Sequence, residues 1–186
     1  MERDHPRHRG EPPIVIEIRR FEQGSLPAGL RQVLLDVHAE AYYDRRNEEF
    51  VQKFPWFVDH WSEKAGFVCV VAYDGDEPIG FSYGAPLAEG REWWRGHMPT
   101  PERTATFGVS ELMLRPAWRK QGISPRLHQA LLADRTEAMT VLTVDTVRPR
   151  LQALYESWGY RKVGENRPFI DSPLYAVMVC DLLAAG

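Results

Sequence analysis

The sequence predicts an α/β fold, one mixed layer of strands with helices on both faces. Three observations predict it. Strand-type and helix-type apolar patterns follow one another in the order βααβββαβαββ. The chain has 186 residues, the length of one domain able to bury a sizeable core. Hydrophobic residues make up 44% and aromatic residues 11%, which excludes disorder of the whole chain.

Residues 1–13 mix charges, two His and three Pro without periodicity and read as a disordered tail, leaving one domain over 14–186. The tail has no apolar stretch, so it is not read as a secretory signal. Ile14–Ile18 is a short β-branched strand, and Ser25-Leu26-Pro27 offers a helix cap and a first-turn proline. Leu30, Val33, Leu34, Val37, His38 and Ala41 then recur at helical spacing. A second helical region over 48–64 carries Phe50, Phe54, Phe57 and Trp61, with Pro55 dividing it.

Gly66–Tyr73 and Pro78–Tyr83 flank Asp74-Gly75-Asp76-Glu77 and read as a hairpin. Residues 88–105 have no clear period and read as a long loop, a frequent place for function. Thr106–Leu114 is a strand, followed by a helix with Ile123, Leu127, Ala130 and Leu131 on one face. Val141–Val147 is a buried-type strand. Pro149 opens a helix that places Leu151, Leu154, Tyr155 and Trp158 on one stripe. Tyr160–Val163 and Leu174–Leu182 are the closing strands.

The net charge is −3, yet it is unevenly spread. Leu112 to Lys162 holds nine basic residues against four acids, a net of +5, so the remainder carries −8. Arg115 to Arg126 holds four basic residues and no acid, which suits a solvated face or a local anion site. The overall charge argues against nucleic acid as a partner, and no apolar run is long enough for a membrane span. Cys69 and Cys180 form no disulfide framework, which suits a reducing, cytoplasmic setting. The His residues show no ligand spacing, so no metal is expected.

Two segments carry the chemistry. In Leu112–Ser124 a strand runs into a basic turn that opens a helix at Gly122. Free amides and the helix dipole at such a start, with Arg119 and Lys120 beside them, suit a phosphate; a plain turn followed by an N-cap explains the same residues. In Arg148–Tyr160 a helix with Tyr155 on its apolar stripe ends at Gly159, and a packed core tyrosine explains that position too.

Together, in this order, the two segments resemble the GNAT family (Gcn5-related N-acetyltransferases). The cofactor signature Arg/Gln-x-x-Gly-x-Gly/Ala is similar to Arg119-Lys120-Gln121-Gly122-Ile123-Ser124, with Ser at the last position. The tyrosine helix ending in Gly-Phe/Tyr resembles Leu154-Tyr155 through Gly159-Tyr160. The clear match covers about residues 106–182.

The resemblance implies a mostly antiparallel central sheet, splayed between its fourth and fifth strands and flanked by helices. It implies acetyl-CoA as acyl donor and an amine of a small molecule or protein as acceptor, attacked directly. It places the pantetheine arm on Leu112, Met113 and Leu114, and the pyrophosphate on Gln121, Gly122, Ile123 and Ser124 beside Arg119 and Lys120. An oxyanion-stabilising amide is expected near Met113 or Leu114. Arg148 stands where the family often has asparagine, and Pro125 removes one N–H donor. Tyr155 is placed as the acid for the departing thiolate.

Glu111, the one carboxylate within 106–114, is the candidate base; an exposed or cross-strand-paired glutamate explains it equally. His38 reads as a packed histidine more than a catalyst. Asp44 and Asn47 could line an acceptor pocket, and Trp93 and Trp94 could cap it. The Trp loop or an exposed strand edge could make a homodimer. A non-catalytic acyl-CoA sensor of the same fold is the alternative.

Overall fold

The computed structural model describes residues 15–182, so the tail expected over 1–13 lies outside the described residues. Seven strands form one sheet in the order β1-β2-β3-β4-β5-β7-β6. They are β1 (Ile16–Glu22), β2 (Val68–Asp74), β3 (Glu77–Pro86), β4 (Thr106–Leu114), β5 (Met139–Asp145), β6 (Arg161–Asn166) and β7 (Tyr175–Asp181). The helices are α1 (Leu30–Ala41), α2 (Glu49–Gln52), α3 (Phe54–Ser62), α4 (Ile123–Leu132) and α5 (Pro149–Ser157). The predicted element order holds throughout.

β2 explains why helices cover both faces. Its side chains alternate: Val68, Val70 and Ala72 enter a core with Ile123, Leu127 and Leu131 of α4. Cys69, Val71 and Tyr73 enter a second core with Leu34 and Val37 of α1 and Phe54, Val58 and Trp61 of α3. Tyr155 of α5 belongs to the α4 side.

Several boundaries move for local reasons. The first strand runs to Glu22, because all seven of its residues pair with β2. Ser25 does not cap α1: its amide bonds the Glu22 carbonyl and closes the turn after β1, while Gly29 stands at the helix start. Pro55 does divide the second helical region, and it does so in the first turn of α3, where its missing N–H costs nothing. β5 stops at Asp145, leaving Val147 exposed in the turn to α5.

All neighbouring strands are antiparallel except β4 and β5. That parallel pair has a short register: Thr106 with Met139, Phe107 with Thr140, Gly108 with Val141. Beyond it β5 stays paired to β7 as far as Asp145, and β4 stays paired to β3 as far as Leu114. Both strands therefore continue while their common ladder ends, and the sheet opens as a wedge.

A bulge in β4 sits at the point of parting. Tyr83 pairs with Glu111 and Gly84 with Val109, so Ser110 is the extra residue. A bulge bends its strand and raises the twist, turning the end of β4 away from β5. Gly84 is required opposite it, since a Cβ there would lie 2.1 Å from the Gly108 carbonyl oxygen.

The long loop over 87–105 is anchored by Trp94. Its ring is fully buried against Met139, Val141, Val177 and Val179, and its indole N–H donates to Thr106 Oγ1 at 2.9 Å. Trp94 is thus unavailable to cap a pocket or join a dimer surface. Trp94→Ala should destabilise the fold by about 3–5 kcal/mol in urea unfolding. Ile170→Ala, at a fully exposed site, should change it by less than about 0.5 kcal/mol.

Candidate active site

The wedge opens into a cleft of about 930 Å³ that passes from one face of the sheet to the other. Leu112, Leu142, Val144, Arg148, Leu151 and Tyr155 line it on the α5 side. His38, Tyr42, Phe54, Phe57 and Trp61 line it on the α1–α3 side.

The hydrogen-bond ladder decides which β4 amides face the wedge. The Arg115 N–H donates to the Ile79 carbonyl at 2.8 Å. Backbone groups alternate along a strand, so Met113 and Glu111 turn theirs toward β3, opposite Phe81 and Tyr83. Leu112 and Leu114 turn theirs toward the wedge. Met113 is therefore not free to bind an arm or an oxyanion by its amide: that amide belongs to the β3 ladder, and its side chain is buried among α1 and α3. Of the three residues expected on the pantetheine arm, two remain.

Gly122 opens α4 in the left-handed region, at φ 75°, with no side-chain cap on the helix. Open space surrounds its Cα, so glycine is needed for backbone conformation and not for room. The amides of Ile123 and Ser124 are thus free at a helix start, the arrangement that binds phosphate. Lys120 also adopts positive φ, at 60°, and is exposed. Gln121 folds back to donate to the Ala117 carbonyl at 3.0 Å. Arg119 reaches the Ala41 carbonyl at the end of α1, 3.2 Å away. Two other cations of the basic stretch are structural: Arg115 pairs with Glu40, and Arg126 donates to the Ile16 carbonyl.

Glu111 projects to the α1–α3 side, since it shares the bulge-corrected face of Tyr83 and Met113. Burial pushes its carboxyl up to about 8. Four phenols from separate elements gather round it: Tyr42 after α1, Tyr83 on β3, Tyr155 on α5 and Tyr175 on β7. Each is raised first by burial and then by the Glu111 charge, Tyr175 to about 12. The Tyr83 hydroxyl is fully buried and has no hydrogen-bond partner. Tyr155 is buried, with Trp158 and Tyr160 edge-on to its ring at 5.2 and 5.8 Å.

His38 stacks between Phe54 at 3.8 Å and Tyr42 at 4.8 Å, and burial pushes it down to about 4. It is neutral at working pH and a poor base. Asp44 and Asn47 are exposed and do not line the cleft; Tyr42 and Arg45 beside them do. Trp93 lines it too, edge-on to Trp61 at 5.9 Å. Tyr42, Tyr83 and Tyr175 gave no sequence signal, because their shared neighbour appears only once four elements are assembled. No group of three or more His, Cys, Asp or Glu among the described residues could hold a metal ion.

Comparison with solved structures places this architecture among known folds. PH1933 from Pyrococcus horikoshii OT3 is similar with a TM-score of 0.65 at 21% identity, over 90% of this chain and 99% of that one. The ribosomal-protein-S18-alanine N-acetyltransferase from Escherichia coli superposes with a TM-score of 0.65 at 16% identity, over 92% and 97%. The PaiA N-acetyltransferase from Thermoplasma acidophilum, solved with coenzyme A, gives 0.61 at 14% identity, over 90% and 99%. At these identities the likeness speaks for the fold. Among curated proteins none matches the sequence. The sequence model of the acetyltransferase (GNAT) family matches residues 31–160, most of the chain, and with the splayed sheet this establishes that the chain belongs to the GNAT acetyltransferase family.

Proposed function

We propose that the protein is an acetyl-CoA-dependent N-acetyltransferase acting by direct attack of an amine of a small molecule or protein. The observation that carries this reading is one cleft through the wedge, with a half-buried acid on one wall and a buried phenol on the other. Acetyl-CoA supplies an activated acyl group as a thioester. The wedge-facing backbone of Leu112 and Leu114 fits its arm as an added strand would. The free amides at Gly122, Ile123 and Ser124, beside Lys120 and Arg119, fit its pyrophosphate. Arg148, lining the cleft at the start of α5, offers a further cation.

Glu111 is assigned as the base. Its carboxylate takes one proton from the acceptor ammonium; the N–C bond then forms as the C–S bond breaks, and the second nitrogen proton passes to the phenolate that Tyr155 becomes on protonating the sulfur. A carboxyl raised to about 8 takes that proton far better than one near 4. Tyr155 is assigned as the acid: raised by burial, it stays protonated at neutral pH and gives its proton to the departing sulfur. Holding both substrates in one cleft supplies the proximity term, roughly 7–11 kcal/mol in ideal cases. A chain with two cysteines and no disulfide framework fits a reducing setting such as the cytoplasm.

Ser124, Pro125 and Arg148 depart from the family signature and favour a second reading, an acyl-CoA sensor without turnover. CoA binding with no thioester consumed across an amine panel would select it.

Three outcomes check the first reading. Tyr155→Phe should lower turnover about 100-fold with acetyl-CoA affinity nearly intact; full turnover removes Tyr155 from the mechanism. Gly122→Glu should abolish CoA binding measured by calorimetry, since it adds strain, bulk and negative charge at the pyrophosphate amides. For Glu111, wild-type kcat/KM should rise with pH through about 8. Glu111→Gln should lose that limb. The same variant should be more stable than wild type above pH 8. The folded state holds the Glu111 proton over the whole window from 4.5 to about 8, so wild-type stability falls as pH rises through it.

A further inference from the structure

The acceptor half of the cleft has a character that proton transfer does not require. Its walls are aromatic, built from Phe50, Phe54, Phe57, Trp61 and Trp93. Phe50 and Phe57 meet at 5.4 Å, and Trp61 and Trp93 meet edge-on at 5.9 Å. Such walls take up a flat or bulky apolar body.

Two cations stand among them: Lys64, just after α3, and Arg91, in the loop after β3. None of the described carboxylates forms an ion pair with either. The Lys64 ammonium lies over the Trp61 ring, 5.1 Å from its centroid, which holds it against the aromatic wall. A third lining cation, Arg45, is already bidentate to Glu48. The acids on the cleft wall are Glu111 and Asp145, the latter at the end of β5.

The segments that carry the two cations meet the sheet away from Glu111. The loop that carries Arg91 packs onto β4 at Gly108, where Leu87 fills the space a Cβ would take, and Gly66 beside Lys64 abuts Pro86. Gly108 precedes Glu111 by three residues, which the Ser110 bulge shortens to roughly two pairing steps, about 7 Å of strand. An acceptor with its nitrogen at Glu111 thus extends its far end toward Lys64 and Arg91.

The charge of −8 outside the cofactor segment favours a cationic acceptor only if those acids face the cleft. Glu49, Asp59 and Glu63, each next in sequence to a lining residue, are instead exposed and outside its lining. A polycation would bring positive charge against two unpaired cations, a repulsion that discriminates against it.

Resting on the acyl-transfer reading above, we infer that the acceptor is an amine on an aromatic or bulky apolar body bearing an anionic group, carboxylate or phosphate, remote from the nitrogen and held by Lys64 and Arg91. Four probes test this with acetyl-CoA as donor: 4-(aminomethyl)benzoate, 4-(aminomethyl)phenyl phosphate, the neutral 4-(aminomethyl)benzamide, and spermidine. Thiol release gives kcat/KM for each, and calorimetry on the CoA-loaded protein gives Kd.

At least one anionic probe should exceed the benzamide about tenfold in both readouts, the expected scale for a charge-assisted contact. The better of the two identifies the anion, and spermidine should rank last. In the double variant Lys64→Gln, Arg91→Gln the ratio of anionic to neutral probe should fall to about one. A benzamide that equals both anionic probes in turnover and binding overturns the inference, as does preference for spermidine. If no probe is acetylated while the anionic ones bind tighter through Lys64 and Arg91, the binding site stands and the acyl-transfer reading falls.

Discussion

The ladder between β4 and β5 stops at Gly108 and Val141, and the cleft exists because of that stop. Neither strand ends there. Each continues against its other neighbour, so backbone groups of Leu112 and Leu114 face a gap in a sheet otherwise paired. An unpaired strand edge inside a protein is costly unless something completes it. The bulge at Ser110 sets the position of the gap and also the face on which Glu111 emerges. One irregular residue thereby links an opening in the sheet to the placement of a half-buried acid.

The same placement sets a tension between stability and chemistry. Glu111 sits among aromatic walls and four phenols, and burial raises its carboxyl to about 8. Ionising it in the folded state costs more than in the unfolded chain, so the protein is less stable at the pH where the group is ready to accept a proton. Perturbed groups of this kind gather at working sites. His38, pushed down to about 4 between two aromatic rings, stays neutral and contributes packing.

Much of the fold was legible from residue patterning. Every strand and α-helical region is anticipated in order, because two-residue and 3.6-residue periods mark the buried faces of β2, α1 and α4 directly; the 3-10 turns at Tyr43–Arg45 and Pro116–Trp118 are not. The signature around Gly122 was legible as well, since left-handed backbone at a helix start leaves a glycine in the sequence. Other features lay beyond a linear reading. Met113 was grouped with Leu112 and Leu114, and only the register with β3 separates them. Trp93 and Trp94 looked alike, yet the first lines the cleft and the second is buried under the loop. Asp44 and Asn47 drew attention by their polarity, whereas the cleft takes Tyr42 and Arg45 between and before them. Tertiary proximity, as among Tyr42, Tyr83 and Tyr175, has no sequence period.

Amide hydrogen exchange of the protein with and without CoA tests most directly that the unpaired edge of β4 is the cofactor's seat. CoA should slow exchange at Leu112 and Leu114 and at Gly122, Ile123 and Ser124, while Met113, already bonded to β3, stays as slow as before. Saturating CoA that leaves Leu112 and Leu114 unchanged, or that protects Met113 instead, would contradict it.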